Sequence, residues 1–126
     1  MTQELEKIKK SYRLLLEAKK YNFPKPDEKL EAPTQQGVYV ISAPNGAVLH
    51  VGKTSRAKNG LRQRLKNHLL GQSSFTKKYL NGDGKKLRGK HTFKYVRVDN
   101  SRLRTLVEAY AIAHLCPKHL GTGTPD

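Results

Sequence analysis

Two short β-like runs on either side of Asn45-Gly46 constrain the fold of this chain more than any other feature. Asn-Gly between apolar-rich runs is the strongest local signal for a tight β-hairpin. A two-residue loop at these positions pairs Ile41 with His50 and places Tyr39 diagonally across from His50, on the same face. Such neighbours are about 7–8 Å apart. The hairpin, at about 37–52, therefore predicts a phenol beside an imidazole on one face of a sheet.

The opposite face of this hairpin is predicted to be apolar. The same register pairs Ser42 with Leu49. Since side chains alternate along a strand, the other face carries only apolar side chains, namely Val38, Val40, Leu49 and Val51. We expect that face to pack in a core and the Tyr39 face to be a surface for chemistry.

Helical periodicity and capping residues predict helices around the hairpin. Helices are predicted at 2–20, 61–70, 73–80 and from the capping residues at 99–101 to about Leu115. A third strand is predicted at 92–98. The element order indicates an α/β (α+β) fold, with a small three-stranded, mainly antiparallel sheet flanked by helices.

Length and composition limit the domain organisation. A chain of 126 residues is expected to form one domain. Residues 1–36 are interpreted as an N-terminal helix and a proline-containing linker, 37–120 as the main domain, and 121–126 as a flexible tail.

Two absences from the composition bear on location. The sequence contains no apolar run of membrane-spanning length and no signal-peptide hydrophobic stretch, so no membrane partner is expected. Cys116 is the only cysteine, so no intrachain disulfide can form. We therefore expect a reduced, intracellular (cytoplasmic) setting.

The charge distribution predicts a polyanionic partner. The chain has 25 Lys and Arg residues against 10 Asp and Glu residues, a formal net charge of +15. From Gly37 onward, 17 basic residues face only four acids. A cationic surface of this kind attracts polyanions and releases counterions on binding. Nucleic acid is the leading partner, because the charge is interleaved with a patterned core and not placed in a basic tail.

Glu108 is one of those four acids and lies in the last predicted helix. The main buried stripe of that helix is predicted to contain Leu103, Leu106, Val107, Tyr110 and His114. Glu108 lies off this stripe, with Arg104 one turn earlier. Spacing alone favours a surface pair of Arg104 with Glu108, worth about 0.2–0.5 kcal/mol. A phosphate-binding surface with one carboxylate would instead suit Mg²⁺.

The second predicted helix carries Arg64 and His68 at i and i+4, where both could face the hairpin. A guanidinium offers a planar fork of donors for phosphate. Arg62 and Lys66 lie on the other flank and would be solvated or contact a phosphate backbone. Taken singly, His68 is more often an ordinary boundary histidine, and Arg64 could equally be one more member of a basic face.

Two other patterns are weak. Gly52-Lys53-Thr54 resembles the end of a phosphate-binding loop, but that motif needs four residues between its glycines, and Gly46 lies one residue too far away. His114, Cys116 and His119 offer three irregularly spaced ligand types, whereas a structural zinc site usually needs four. We expect neither an NTPase nor a zinc site.

Taken together, these residues resemble the GIY-YIG nuclease family over about 37–120. Gly37-Val38-Tyr39 looks like the first triplet of that family, and His50-Val51-Gly52, followed by Lys53, looks like the second. The segment 61–65 is similar to the helix that carries the catalytic arginine, here Arg64. His68 matches a histidine of some restriction-enzyme branches, and Glu108 falls where the family has its metal-binding glutamate.

Two positions depart from the family pattern. The second triplet usually begins with tyrosine, and here it begins with His50. The family also tends to have asparagine at the end of a Pro-x-x-Asn stretch, where this chain has Leu120. A neutral imidazole, with a reference pKa of about 6.5, is a more natural base near neutral pH than a phenol at about 10.

The resemblance implies a divalent-metal-dependent endonuclease that hydrolyses phosphodiester bonds, in DNA more than in RNA. Glu108 would bind one Mg²⁺ or Mn²⁺, and Arg64 would neutralise charge that grows on the phosphoryl group. Tyr39 or His50 would orient or deprotonate the attacking water, and His68 is counted with these catalytic residues.

The phosphate-binding residues implied are Lys53, Arg62 and Lys66. Little chain remains for a sequence-reading module, so we expect weak intrinsic specificity, or specificity supplied by a homodimer or a protein partner. Two alternatives stay open: a non-catalytic or degenerate GIY-YIG-like module that binds DNA or RNA, and a ribosome- or RNA-associated protein.

Overall fold

A four-stranded antiparallel sheet with helices on both faces forms the centre of the protein. The computed structural model describes residues 2–55 and 58–120. The helices are α1 (Gln3–Glu17), α2 (Gly60–Leu69), α3 (Ser74–Tyr79) and α4 (Ser101–Leu115), with a 3₁₀ helix at Gly84–Leu87. The strands are β1 (Tyr21–Asn22), β2 (Gly37–Ser42), β3 (Val48–Lys53) and β4 (Thr92–Arg97), in the order β1-β4-β2-β3. The predicted α+β class is confirmed.

The sheet has one strand more than the three predicted. Tyr21 and Asn22 pair with Phe93 and Thr92 of β4, inside the segment that the sequence suggested was a linker. The backbone N–H of Phe23 then donates to the His91 carbonyl at 2.9 Å, and the Phe23 side chain is buried. A two-residue strand is too short to show any periodicity, so the sequence carried no pattern for it.

Two apolar cores lie on opposite faces of the sheet. One contains Tyr39 and Ile41 of β2 with the buried side chains of α2 and α3. The other contains Val38 and Val40 with side chains of α1 and α4. The Tyr39 face is therefore a second core and not the open surface that we expected. Residues on both sides of position 36 contribute to both cores.

The β2–β3 hairpin confirms one predicted pair and corrects another. Ile41 pairs with His50 as predicted, but Ser42 pairs with Val48 and not with Leu49. The loop is one residue longer than predicted, because the Ala43 N–H donates to the Ala47 carbonyl at 2.8 Å. A bulge after Ile41 compensates for this extra residue. It also turns Leu49 into the Tyr39 core, opposite to the predicted face.

The N-terminus of α2 is held by the chain that precedes β2. The N–H groups of Leu61 and Arg62 donate to the carbonyls of Gln35 and Pro33, at 3.0 and 2.9 Å. These bonds satisfy donors that a helix otherwise leaves unpaired. The linker thus fixes where α2, and with it Arg64 and His68, lies on the sheet.

Helix α4 buries a different stripe from the one predicted. Its N-cap is Asn100, whose side-chain oxygen accepts from the Leu103 N–H at 2.8 Å. Arg104, Val107 and Ala111 are its buried residues, whereas His114 is exposed. Of the predicted stripe only Val107 is fully buried, because α1 covers the flank of α4 and the sheet covers the Arg104 side.

Across residues 2–55 and 58–120, no helix is long and apolar enough to cross a bilayer.

Candidate active site

Tyr39, His50 and His68 form a buried cluster between β2, β3 and α2. The ring centroids of Tyr39 lie 6.0 Å from His50 and 5.4 Å from His68, and the two imidazoles are 5.2 Å apart. All three side chains are less than 5% exposed. The hairpin face and the second helix thus bring together the ring groups that the sequence predicted would meet.

Gly52 makes room for this cluster. It pairs with Tyr39 across the hairpin. A Cβ atom added at position 52 would collide with the Tyr39 hydroxyl and lie 3.0 Å from Nε2 of His50. A residue with a side chain at this position would therefore displace the phenol, so the glycine of the second triplet has a direct steric role.

The Tyr39 hydroxyl is hydrogen-bonded to a histidine of α2. Tyr39 Oη lies 2.6 Å from His68 Nε2. Burial raises the pKa of Tyr39 well above its ordinary value, and the nearby Arg64 guanidinium opposes this rise. The pKa of His68 lies well below 6.5, mainly because the ring is buried and, to a smaller extent, because of the charges of His50 and Arg64. At neutral pH the pair is a neutral phenol beside a neutral imidazole.

The other ring nitrogen of His68 contacts a residue that was not predicted to belong to the site. His68 Nδ1 lies 2.6 Å from Ser73 Oγ, and Ser73 is 3% exposed. Ser73 is also the N-cap of α3, where its hydroxyl accepts from the Thr76 N–H at 3.1 Å. The available signal was a serine immediately before a short helix, but that pattern indicates only a cap.

His50 is buried, and neither ring nitrogen has a side-chain hydrogen-bond partner among the described residues. Its ring stacks on Phe75, with centroids 5.0 Å apart and planes at 16°. Burial, together with the charges of His119 and Arg64, lowers the pKa of His50 to about 3, while the His119 backbone acts weakly in the opposite direction. His50 is therefore a neutral ring and a weak base.

His119 reaches this cluster through the segment after α4. The backbone N–H groups of Lys118 and His119 donate to the carbonyls of Val48 and Leu49, at 3.1 and 2.8 Å. The His119 ring is buried 5.3 Å from the His50 ring. The sequence placed His119 only with His114 and Cys116, which are both exposed. The next residue, Leu120, is 57% exposed.

Glu108 is half-buried near two cations of the same site. Burial raises the pKa of its carboxyl group above the ordinary value, and Lys53 and Arg64 act in the opposite direction. The Glu108 charge in turn raises the pKa of Tyr39. Among the described residues, none forms a hydrogen bond or an ion pair within 4.0 Å with this carboxylate.

Arg104 is not the partner of Glu108, so the surface-pair interpretation is wrong. Arg104 is 4% exposed and donates only to backbone carbonyls. Its Nε reaches the Thr54 oxygen at 2.9 Å and its Nη2 the Ser55 oxygen at 3.0 Å. Its Nη1 donates to the carbonyls of Val98 and Asp99, at 2.9 and 3.2 Å. The guanidinium therefore clamps two loops and leaves the carboxylate without it.

The other acids of the main domain have local roles or lie outside the described residues. Asp83 caps the 3₁₀ helix by accepting from the Lys85 N–H at 3.1 Å. Asp99 pairs with Arg97 at 3.0 Å, and both side chains are exposed. Asp126 lies outside the described residues. Glu108 is thus the half-buried acid that no contact within residues 2–55 and 58–120 explains.

Arg64 is a cation that acts on four titratable groups of the site. Its charge lowers the pKa values of Tyr39, His50, His68 and Glu108. Such breadth requires a guanidinium near all four groups, where it would also meet a bound phosphate.

The three predicted phosphate-binding residues lie at different places. Lys53 ends β3 beside Glu108, and the next residue, Thr54, fixes that end by exchanging backbone and hydroxyl bonds with Gly37 at 3.0 Å. Arg62 is exposed on α2, but its Nε donates to the Ala32 carbonyl at 2.8 Å. Lys66 is exposed on the same helix. Lys53 is the one of the three whose charge acts on the carboxylate.

The Glu108 carboxylate is an oxygen ligand of the kind that a hard divalent cation prefers when a substrate supplies further oxygen ligands. Mg²⁺ commonly binds one or two protein carboxylates together with waters and substrate phosphates, and Glu108 offers one carboxylate. No group of three or more His, Cys, Asp or Glu side chains within 2–55 and 58–120 could hold a metal by itself. The residues present fit an ion bound jointly with phosphate, and they do not fit a closed structural site.

No protein-family model matches the chain, and no curated protein matches it.

Proposed function

We propose that this protein is a divalent-metal-dependent endonuclease that hydrolyses phosphodiester bonds of nucleic acid, with DNA favoured over RNA. The GIY-YIG resemblance implies this activity. The observation that carries the proposal is the meeting of Tyr39, Arg64 and a half-buried Glu108 that has no ion pair within 4.0 Å among the described residues. These groups come from β2, α2 and α4, so no local pattern explains why they should meet.

Tyr39 and His68 would handle the proton of the attacking water. Oη of Tyr39 is 2.6 Å from Nε2 of His68. The phenol would accept a proton from water while its own proton passes to the imidazole, so that hydroxide attacks phosphorus as the P–O bond to the leaving oxygen breaks. His68 can accept that proton because burial keeps it neutral at pH 7. His50 has no hydrogen bond to Tyr39 and would support its ring by packing, not act as the base.

Arg64 and Lys53 would bind the scissile phosphate. Preorganised cations aimed at developing charge are among the largest contributions to catalysis. Glu108 would hold the single Mg²⁺ or Mn²⁺, which when bound polarises a phosphate oxygen and stabilises the leaving oxygen. Arg62, Lys66 and the basic residues of 77–97 would contact the nucleic-acid backbone without reading its sequence.

A cleavage assay with matched variants tests the proposal. Purified protein should nick plasmid DNA with Mg²⁺ or Mn²⁺ and not with EDTA. Glu108→Gln keeps the size of the side chain but removes its charge, and should lower the rate by at least about 100-fold, within the range known for loss of one electrostatic group. Asp99→Asn is the matched control, since it removes an exposed acid of the same region, and should cleave at the wild-type rate. Equal rates for wild type and Glu108→Gln would refute the metal assignment.

One observation favours a nucleic-acid-binding module that does not cut. Tyr39 and His68 are both 0% exposed, so the proposed water-activating pair has no solvent access in this structure. Binding alone gains nothing from a carboxylate among cations, whereas a nuclease does. Thermal shift separates the two: stabilisation by Mn²⁺ that disappears in Glu108→Gln supports the nuclease. Salt-sensitive DNA binding with no response to Mn²⁺ supports the module.

A further inference from the structure

A buried chain of hydrogen bonds runs from Tyr39 through His68 to the start of α3. Oη of Tyr39 lies 2.6 Å from His68 Nε2, and His68 Nδ1 lies 2.6 Å from Ser73 Oγ. Ser73 Oγ lies 2.7 Å from Thr76 Oγ1, which donates to the His68 carbonyl at 2.9 Å. All four residues are at most 3% exposed. Water is therefore excluded, and each polar atom depends on its partners in the chain.

Counting protons gives each bond a direction. A hydroxyl carries one proton. Thr76 gives its proton to the His68 carbonyl, so the Ser73 hydroxyl must donate in the Ser73–Thr76 contact. Ser73 Oγ then accepts from the Thr76 N–H and can make its contact with His68 only as an acceptor. His68 Nδ1 must therefore carry the proton.

The opposite tautomer leaves the chain unsatisfied. If His68 were protonated at Nε2, its Nδ1 would need a proton from Ser73. The 2.7 Å contact between Ser73 and Thr76 would then have no proton and would set two oxygen lone pairs against each other. Buried polar groups left without a partner are strongly disfavoured, so the directed network selects one tautomer.

We propose that Ser73, held by Thr76, is a positioning residue that fixes His68 as the Nδ1–H tautomer and so makes its Nε2 the acceptor for the Tyr39 proton. With Nε2 unprotonated, the Tyr39 hydroxyl donates to His68, and its oxygen is left as an acceptor, with the Arg64 side chain as a nearby donor. The tautomer assignment stands on the hydrogen-bond chain alone, whereas its catalytic consequence rests on the proposed nuclease function. No other residue described near His68 accepts from Nδ1.

Nitrogen-15 NMR of the histidine side chains tests the assignment without any activity measurement. Long-range ¹H–¹⁵N correlations distinguish a protonated from an unprotonated ring nitrogen, and His68→Gln identifies the His68 signals. In the wild-type protein at pH 7, we expect His68 to show a protonated Nδ1 and an unprotonated Nε2. A protonated Nε2 in the wild-type protein would overturn the proposal.

Variants at position 73 test the consequence. Ser73→Ala should give a mixture of tautomers and lower kcat by about 10- to 100-fold, as loss of an orienting partner does, with KM for DNA changed less than about twofold. Ser73→Thr keeps the oxygen and should restore the tautomer. Thr2→Ala is the matched control, because it removes the capping hydroxyl of α1 (3.1 Å from the Leu5 N–H) and should leave both tautomer and kcat unchanged. A wild-type tautomer in Ser73→Ala would overturn the proposal, whereas the expected tautomers in an inactive protein would overturn only the nuclease function.

Discussion

Replacing Arg104 by leucine distinguishes two possible roles of this side chain, a buried clamp on backbone carbonyls and a surface ion pair with Glu108. Arg104 donates to four backbone carbonyls, and its bonds to Thr54 and Val98 are buried. A buried carbonyl left without a donor costs about 1–3 kcal/mol, so the two buried bonds predict that Arg104→Leu lowers the free energy of unfolding by about 2–6 kcal/mol. A surface pair with Glu108 would predict only about 0.2–0.5 kcal/mol.

Urea unfolding of three proteins measures this difference. The wild type, Arg104→Leu and Arg102→Leu are compared by their midpoints and slopes. Arg102 is the matched control because it lies on the same helix and pairs with Glu4 at 2.7 Å, but its side chain is 72% exposed. We expect a much smaller midpoint change for Arg102→Leu than for Arg104→Leu. Similar changes in the two variants would show that the carbonyl contacts of Arg104 do not hold the loops together.

Three further predictions concern pH and sterics. Because burial raises the pKa of Glu108, the folded state binds more protons, so stability should fall as pH rises from the ordinary carboxyl pKa through the raised one; Glu108→Gln should flatten that part of the urea stability profile. Burial lowers the pKa of His50 to about 3 in the folded protein. The stability that depends on a neutral His50 is therefore complete above about pH 6.5 and is lost as the pH falls from about 6.5 to 3. His50→Phe should make unfolding less sensitive to acid, and an unchanged acid profile would contradict the burial argument. Gly52→Ala should collide with the Tyr39 hydroxyl and lower both thermal stability and DNA cleavage, whereas Gly46→Asn, where φ is +91° and no atom would lie within 4 Å of an added Cβ, should leave cleavage unchanged.

The β-hairpin shows why part of the local structure was predictable. The Asn-Gly signal located the turn, and Ile41 pairs with His50 as expected. The sequence predicted neither the longer loop nor the bulge. They shift the register by one residue in opposite directions, so the pairing is again as predicted at Ile41. A turn motif limits the chain reversal but does not state how many residues close it.

The sequence predicted which residues belong to the candidate site but not which contacts they make. Tyr39 and His68 come together at 2.6 Å, and the charge of Arg64 acts on both, in keeping with helical spacing and the hairpin face. The surface pair of Arg104 with Glu108 was wrong because Arg104 donates to backbone carbonyls, one of which, that of Thr54 in the loop after β3, lies 50 residues earlier in the chain. Helical spacing describes neighbours on one helix and carries no information about such partners.

The sequence by itself determined the helices, the hairpin strands and the positive charge, because alternation, helical periodicity and capping residues act over a few neighbouring positions. Only the tertiary structure decided that Tyr39 is buried, that Ser73 meets His68, and that Glu108 has no ion pair within 4.0 Å among the described residues. Those outcomes depend on which loops and helices pack around each side chain. Hydrogen bonds and desolvation act over a few ångströms in space, regardless of the distance along the chain.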